Sequence, residues 1–500
     1  MKNWKSATHA AVAGVLSWVC CAFAMAQANP NNSAQNPYVG SVQAVAATPG
    51  VRQLSLDDAI RLGIENNLAL TLAHLNEKSA NAQKLQLANA LMPNLSLHGE
   101  TGLHQLNLRA AGFSPGLLPE FGIPPAEAAH FPYVVKVDST VGQVNLSQAI
   151  FTLSGWDVWK AAKANEKAAY YGAQSSRGLV VLNVGTDYLQ ALAASAQVDY
   201  AEALLKTDET LLFQAREEHK AGTAANLDEL RARVQYQTQQ LTVIQAHNDF
   251  QKAKIALNRE IGLAPEQEIQ LTDATPYADL AAVTIEDAKR EAYASRQDFQ
   301  QLRAQMLASR LERRAVKHER FPSITFTGNY GVTGVSGLIY HGTFTAMGTL
   351  SIPIFEEAKL RGDRDVAVAQ VDELNSQFND LTNKIDQQLR DSLLDLQAAA
   401  ELVRVTRSNV ELATKTLEQT TDRFQAGVDD NLPVVQAQST LAQAQTQYVR
   451  SVYQFNQAKL GLARNLGIVD TQYKNYIPMG TGSGTGNPAS QPGQQPQGGK

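Results

Sequence analysis

The side chains of this chain that could trade protons are adjacent acids, Glu217-Glu218 and Asp57-Asp58, and a histidine beside an acid, His318-Glu319. Paired carboxylates can divide acid and base roles, and a histidine can act as base or metal ligand. Here each pair falls on a helical pattern, where such residues serve as solvated faces or as first-turn charges that favour the helix dipole. No Gly-x-x-x-x-Gly-Lys-Ser/Thr loop, His-Glu-x-x-His helix or Gly-x-Ser-x-Gly elbow occurs, and the 9 histidines are scattered. The chain reads as a non-enzyme without cofactor or metal, so its function must lie in its architecture.

The ends bound that architecture. Residues 1–26 hold a basic start (Lys2, Lys5), an apolar run from Ala10 to Phe23 and a small-x-small site at Ala24-Met25-Ala26, the pattern of a secretory signal peptide. The run is well short of the roughly 20 residues a spanning helix needs. Both cysteines, Cys20 and Cys21, lie within it, so the mature chain is expected to have no disulfide and no sulfur-ligated metal. Removing two lysines and no acid takes the net charge from −5 to about −7, which argues against a nucleic-acid partner. From about Gly480 the chain is Gly, Ser, Pro and Gln, which cannot bury enough surface to fold and reads as a disordered tail.

Between the ends the same text occurs twice. At a spacing of 205, Gly222 meets Gly427, Asn226 meets Asn431, Leu227 meets Leu432, Phe250 meets Phe455, Arg259 meets Arg464 and Gly262 meets Gly467. Earlier in each copy the spacing is 229, matching Asp58-Ala59 to Asp287-Ala288 and Pro93 to Pro322. The first copy thus carries 24 extra residues, the difference between the two spacings, inside a hairpin-like region. A repeat this long implies a pseudo-symmetric object.

Each copy reads in the same order. A helical stretch runs from about Ser55 to Met92 and again from Ile285 to Phe321, stopped by Pro93 and Pro322. Alternating strands follow, clearest in Ile324-Thr325-Phe326-Thr327 and in Leu350, Ile352 and Ile354. Two proline-free stretches, Ser154 to Ala221 and Glu357 to Ala426, are far too long for globular helices. In the second, Leu389, Leu396, Val403, Val410, Leu417 and Phe424 keep one heptad frame, while Val371, Phe378 and Ile385 keep another offset by four, a stutter. Each long helix ends at a glycine suited to a left-handed turn, Gly222 or Gly427, and a return helix runs to Gly262 or Gly467.

The expected organisation is a signal peptide (1–26), an N-terminal extension (27–54), a first repeat (55–271) with strands near 93–108 and 133–151, and an equatorial linker (272–284). A second repeat (285–468) has strands near 322–332 and 342–354, and a C-terminal segment (469–500) ends in the tail. Four strands per chain cannot close a barrel, and a sheet in lipid cannot leave an edge. Either several chains share one barrel, with Ile324, Phe326, Leu350 and Ile352 facing lipid, or a small soluble sheet caps a coiled coil. The signal peptide and the period-two faces favour the barrel.

This twice-given order resembles the TolC family of outer-membrane efflux proteins over essentially the whole mature chain. The likeness rests on Leu56-Asp57-Asp58-Ala59-Ile60 with Ile285-Glu286-Asp287-Ala288, on the junctions Met92-Pro93-Asn94-Leu95 and Phe321-Pro322-Ser323-Ile324, and on the tips Lys220-Ala221-Gly222 and Phe424-Gln425-Ala426-Gly427. Each motif alone is weak, and the repeated order is specific. The resemblance implies a mainly α-helical protein with a β-barrel portion. It implies a homotrimer whose long antiparallel helices form a periplasmic tunnel and whose strands form one twelve-stranded barrel in outer-membrane lipid. It implies docking of a periplasmic adaptor, fed by an inner-membrane pump, at the tips Gly222, Thr223, Gly427 and Val428.

The resemblance also implies an entrance narrowed by the second tip, with an aromatic three residues before the turn glycine, a basic residue two after it, and aspartates six and nine after it. Phe424 keeps the aromatic, whereas Asp429, Pro433 and Gln436 replace the other three. Asp429, Asp430 and, in the first copy, Asp228 are the remaining candidates for an acidic aperture, and they are equally well read as helix-start charges. The leading function is a passive outer-membrane export duct. The rival is a periplasmic or surface coiled-coil protein, structural or adaptor-like, that never spans a membrane.

Overall fold

A computed structural model describes residues 40–41, 46–111, 122, 124, 132–223, 225–273, 280, 283–335 and 339–477. The expected signal peptide and C-terminal tail lie outside these residues. A short strand β1 (Arg52–Leu54) precedes helices α1 (Leu56–Asn66) and α2 (Leu68–Asn89), strands β2 (Asn94–Asn107) and β3 (Val134–Phe151), the long helix α3 (Leu153–Lys220), the return helix α4 (Asn226–Ile261) and β4 (Ile269–Leu271). The order then recurs as α5 (Ile285–Ser295), α6 (Gln297–His318), β5 (Ser323–Val335), β6 (Tyr340–Ser351), α7 (Glu357–Gln425) and α8 (Leu432–Leu466), and ends with α9 (Val469–Tyr476).

The same device starts both copies. Ser55 Oγ accepts from the Asp58 N–H and donates to its carboxylate at 2.8 Å, and Thr284 does the same for Asp287 at 2.7 Å. The single helical stretches expected from Ser55 and Ile285 are each broken, however. Asn67 and Arg296 both leave the helical region (ψ 132° and 120°), and the Asn67 side chain accepts from the N–H groups of Ala69 and Leu70 to begin a new helix. The end of a return helix packs against each break. Gly262 and Gly467 close α4 and α8 at φ +83° and +81°, and a Cβ on them would lie 2.6 Å from Asn66 Cβ and from Arg296 Cα.

α3 and α7, 68 and 69 residues long, are about 100 Å rods at 1.5 Å per residue. Near the sheet the helices lie side by side in the order α2, α3, α6, α7; towards the tips the order is α4, α3, α8, α7. The strands follow the same sequence, β2-β3-β5-β6, all antiparallel, so each helix of the upper layer runs on into the strand above it. The main apolar core lies at mid-height, where β1 pairs in parallel with β4 and buried Tyr188 donates to Asp273 at 2.7 Å. Both heptad frames face inward: Leu389, Val403, Val371 and Ile385 are buried.

The sheet is different in kind. Leu97, Val144, Tyr330 and Phe344 stand side by side across all four strands and are 82, 40, 72 and 74% exposed. One residue along, the row on the other face is Ser96, Asn145, Asn329 and Thr345. Among the described residues no helix packs across either face, and β2 and β6 each have an unpaired edge. Ile324 and Leu350 are directly paired, on the face of Phe326. Ile352 and Ile354, expected within the last strand, lie beyond its end at Ser351, because Pro353 has no N–H for the ladder.

The two kinds of helix-end glycine should respond differently to alanine. At Gly467 the new methyl meets backbone as well as a left-handed φ, and should cost about 3 kcal/mol or more. At Gly222, with φ +75° and nothing within 4 Å, only the conformational term remains, about 1 kcal/mol. Denaturation of the two purified variants side by side measures the difference, and equal losses would refute the close-packing argument.

Candidate functional site at the helix tips

Both long helices end in the same hydrogen-bonded turn. Thr223 N–H donates to Glu218 O and Gly222 N–H to His219 O, each at 3.0 Å; Val428 N–H donates to Arg423 O at 3.0 Å and Gly427 N–H to Phe424 O at 2.9 Å. A six-to-one bond enclosing a five-to-two bond around a glycine at φ +75° or +70° is the Schellman closure, which lets the chain reverse within a few residues. Gly222, Thr223, Gly427 and Val428 therefore share one exposed end of the molecule, with Val428 63% exposed.

The candidate acids gather there, and each has a cationic neighbour. Arg423 Nε lies 2.6 Å from Asp429 Oδ2 across the turn, and this hydrogen bond holds the Asp429 carboxyl below its usual range. Arg231 Nη1 lies 3.5 Å from both Asp228 and Asp430, and so joins the first tip to the second. Asn431 strengthens that junction by donating from Nδ2 to the Asp228 carbonyl at 2.8 Å. Asp430 also accepts from the Leu432 N–H at 3.2 Å, as a helix-start residue does. Asp430 thus has the bond of a helix-start residue.

Phe424 takes a different place. Its ring is 9% exposed and packs inside the four-helix tip with Leu211, Ala215, Ala232, Val434 and Val435 rather than standing on an open face. Two buried polar residues that sequence reasoning missed, Asp208 and Gln438, line the same small cavity. Of the missed residues only Arg231 left a sequence signal, three places after Asp228 on one helix face.

The paired side chains of the sequence reading are structural. Asp57 bonds Tyr473 and Lys474 at 2.6 and 2.5 Å, tying α9 to α1. His318, expected to be solvated, instead lies 2.7 Å from Asp157, a largely buried carboxylate that Arg314 grips through two nitrogens. Desolvation opposes ionisation of Asp157, but Arg314 and His318 outweigh it and lower its pKa. Among the described residues no group of three or more His, Cys, Asp or Glu could hold a metal, and no helix is long and apolar enough to cross a membrane.

Comparison with known proteins bears on this arrangement. A family model described as outer membrane efflux protein matches the chain over residues 59–263 and 289–468. The pyoverdine export outer membrane protein OpmQ of Pseudomonas aeruginosa is 26% identical over 316 residues, which cover 62% of this chain and 65%, just under two thirds, of that relative. Outer membrane protein TolC of Escherichia coli is 23% identical over 369 residues, 68% of this chain and 71% of the relative. The solved CmeC outer membrane channel of Campylobacter jejuni has a TM-score of 0.68 at 16% identity, over 82% of this chain and 85% of its own, a likeness of fold.

Asn431 offers a test of how the tips are joined. Asn431→Ala removes a bond from a buried side chain and should loosen the junction by about 1 kcal/mol, roughly fivefold in the local opening constant. Hydrogen exchange in residues 225–235 and 428–438 should quicken by that factor while the β-sheet amides stay unchanged. Unaltered exchange at the tips would mean that the apolar contacts alone hold them together.

Proposed function

The chain belongs to the outer membrane efflux protein family, and from that membership we propose that it is the outer-membrane duct of a tripartite export system, working as a passive homotrimer. Its family consists of outer-membrane efflux channels rather than enzymes, and its place is the outer membrane with a large periplasmic part. The observation that carries the reading is the sheet, with one apolar and one polar face, both bare, and with two unpaired edges. In hydrocarbon such edges must be closed by other strands. Three copies would supply twelve, with the Phe344 row towards lipid and the Thr345 row towards the lumen.

The helices support the same closure. α4, at one side of the layer, exposes Leu227, Leu230, Val234, Leu241 and Ile244 in heptad spacing; α7, at the other side, exposes Leu394, Leu402, Val405 and Leu412. Two different apolar seams on opposite sides suit a head-to-tail contact, which gives a ring where the rotation between copies closes. The ring's helical part would be the periplasmic tunnel. Its tips, Gly222, Thr223, Gly427 and Val428, would receive a periplasmic adaptor bound to an inner-membrane pump. Asp228, Asp429 and Asp430 would surround the entrance, each partly neutralised by Arg231 or Arg423.

Fractionation and planar-bilayer recording test the reading together. A heat-modifiable oligomer that needs detergent for extraction from outer membranes, and that conducts ions, is the expected result. A monomer that stays soluble in the periplasm would overturn it in favour of the coiled-coil alternative.

Two further outcomes follow from side-chain placement. Phe344→Arg should destabilise the inserted barrel by about 2–4 kcal/mol, whereas Thr345→Arg, facing the lumen, should cost far less. Equal assembly of the two variants would reverse or abolish the face assignment. At the entrance, the double variant Arg231→Gln and Arg423→Gln unmasks acids of one sign in a narrow passage and should raise cation preference. Reversal potentials in a salt gradient report this directly; an unchanged potential would move the selective constriction away from the tips.

A further inference from the structure

Beneath the tip, 14 residues before Gly222, the first long helix buries an acid. Asp208 is 2% exposed and faces a cavity of about 10 Å³, about the space of one water, at the meeting point of α3, α4, α7 and α8. Its only bond is a long one, 3.5 Å from Gln235 Nε2 to Oδ2, and Oδ1 has no partner. Across the cavity Gln438, 1% exposed, has neither side-chain atom bonded, and Asn431 Oδ1 is also unpaired. Three acceptor oxygens therefore have no donor bound, and the lining amide with both N–H groups unused is that of Gln438, which cannot serve its own oxygen. A proton on Asp208 supplies a second donor.

Hairpin packing does not require this acid. The matching position of the second copy, 205 residues on, is buried Ala413, and the counterpart of Gln438 is the exposed Arg233. No other ionisable side chain lines the cavity. Of the charged groups on the surrounding elements, Asp228 and Arg231 of α4, Arg423 of α7 with Asp429, and Asp430 ahead of α8 stand nearer the tip, while Lys206, Glu209, Arg233, Glu411 and Lys415, close to its level, are exposed and do not line the cavity.

We propose that Asp208 is a proton-operated latch between the two helical hairpins. Protonated, its O–H donates across the cavity to Gln438 Oε1 and holds the tips side by side. Ionised, it leaves a carboxylate buried with one poor donor, which favours separation of α3 and α4 from α7 and α8 and entry of water. Its consequence for transport, an entrance closed by acid, rests on the duct reading above; the latch itself does not.

Burial lifts the Asp208 pKa from 3.8 to about 6 when the tips are together. The closed form therefore binds an extra proton, and closure strengthens as pH falls through 6 and levels off below the usual carboxyl range. Between pH 7.5 and pH 5 the closed-to-open ratio should rise about tenfold per chain.

Hydrogen exchange on the full-length protein, expressed as protection relative to intrinsic rates, measures that ratio. In the unaltered chain, protection of residues 204–236 and 420–442 should rise about tenfold on acidification over this range. Asp208→Asn should be uniformly protected and flat with pH, and Asp208→Leu should be flat as well if the first variant assembles poorly. Asp187 and Glu260, which burial raises to about 6 and about 7 at mid-height, remain in both variants as internal controls. No pH step in the parent chain, or a step that survives in either variant, would overturn the latch. Conductance in bilayers separates the two proposals: a tip step without channel activity at any pH leaves the latch standing and removes the duct.

Discussion

Unpaired backbone at the outer strands of the sheet is the constraint that the rest of this molecule answers. A four-stranded sheet with edges at β2 and β6 can be capped in water, but not in hydrocarbon, where each bare N–H or C=O costs several kcal/mol. The helices repeat the problem in another form. Because they keep the strand order, the side beneath β2 is occupied by α2 and α4 and the side beneath β6 by α7. Those are the sides on which α4 and α7 expose apolar seams. Hydrogen-bond demand above and apolar demand below thus call for a neighbour in the same two directions, and one lateral contact can satisfy both from sheet to tip.

Mid-height is where each copy is held together internally. The breaks at Asn67 and Arg296 let a return helix end against them, and buried polar groups fix the meeting: Asn67 donates to Glu260 at 3.1 Å, and Arg296 donates to Gln388 at 2.8 Å while ion-pairing with Asp298. Glycine is required at both ends for approach as well as for φ. The tip glycines meet nothing, so the same residue type does two different jobs at the two ends of one helix pair.

Much of this was legible in the sequence because it follows from periodicity and punctuation. Prolines marked the helix-to-strand junctions, alternation marked β5, and the 205-residue spacing paired the turn glycines. The helix breaks were not legible, since neither Asn67 nor Arg296 is a strong breaker and each is held extended by distant partners. Phe424 shows how one pattern can outweigh another. The heptad frame through Leu389, Val403 and Leu417 already placed it on the buried seam, and the structure follows the frame rather than the aperture expected from the resemblance. The arginine pairings across the turn and between tips depend on a meeting of helices that no local window reveals.

The two copies share a backbone, so what distinguishes them carries information that their common packing does not. The mid-height core is broad, joining side chains from β1, α1, α3, α4, α5, α7 and α8. Towards the tips the clusters shrink to groups such as Leu204, Ala413, Leu441 and Ala444, with two alanines among the four. Less apolar area is buried per turn there, so separating the hairpins costs least at the tip and most at mid-height. A polar cluster sits in this weakly held region, and only on one copy's side is it acidic. Local opening should therefore begin at the tips and stop at the equator, leaving the sheet undisturbed.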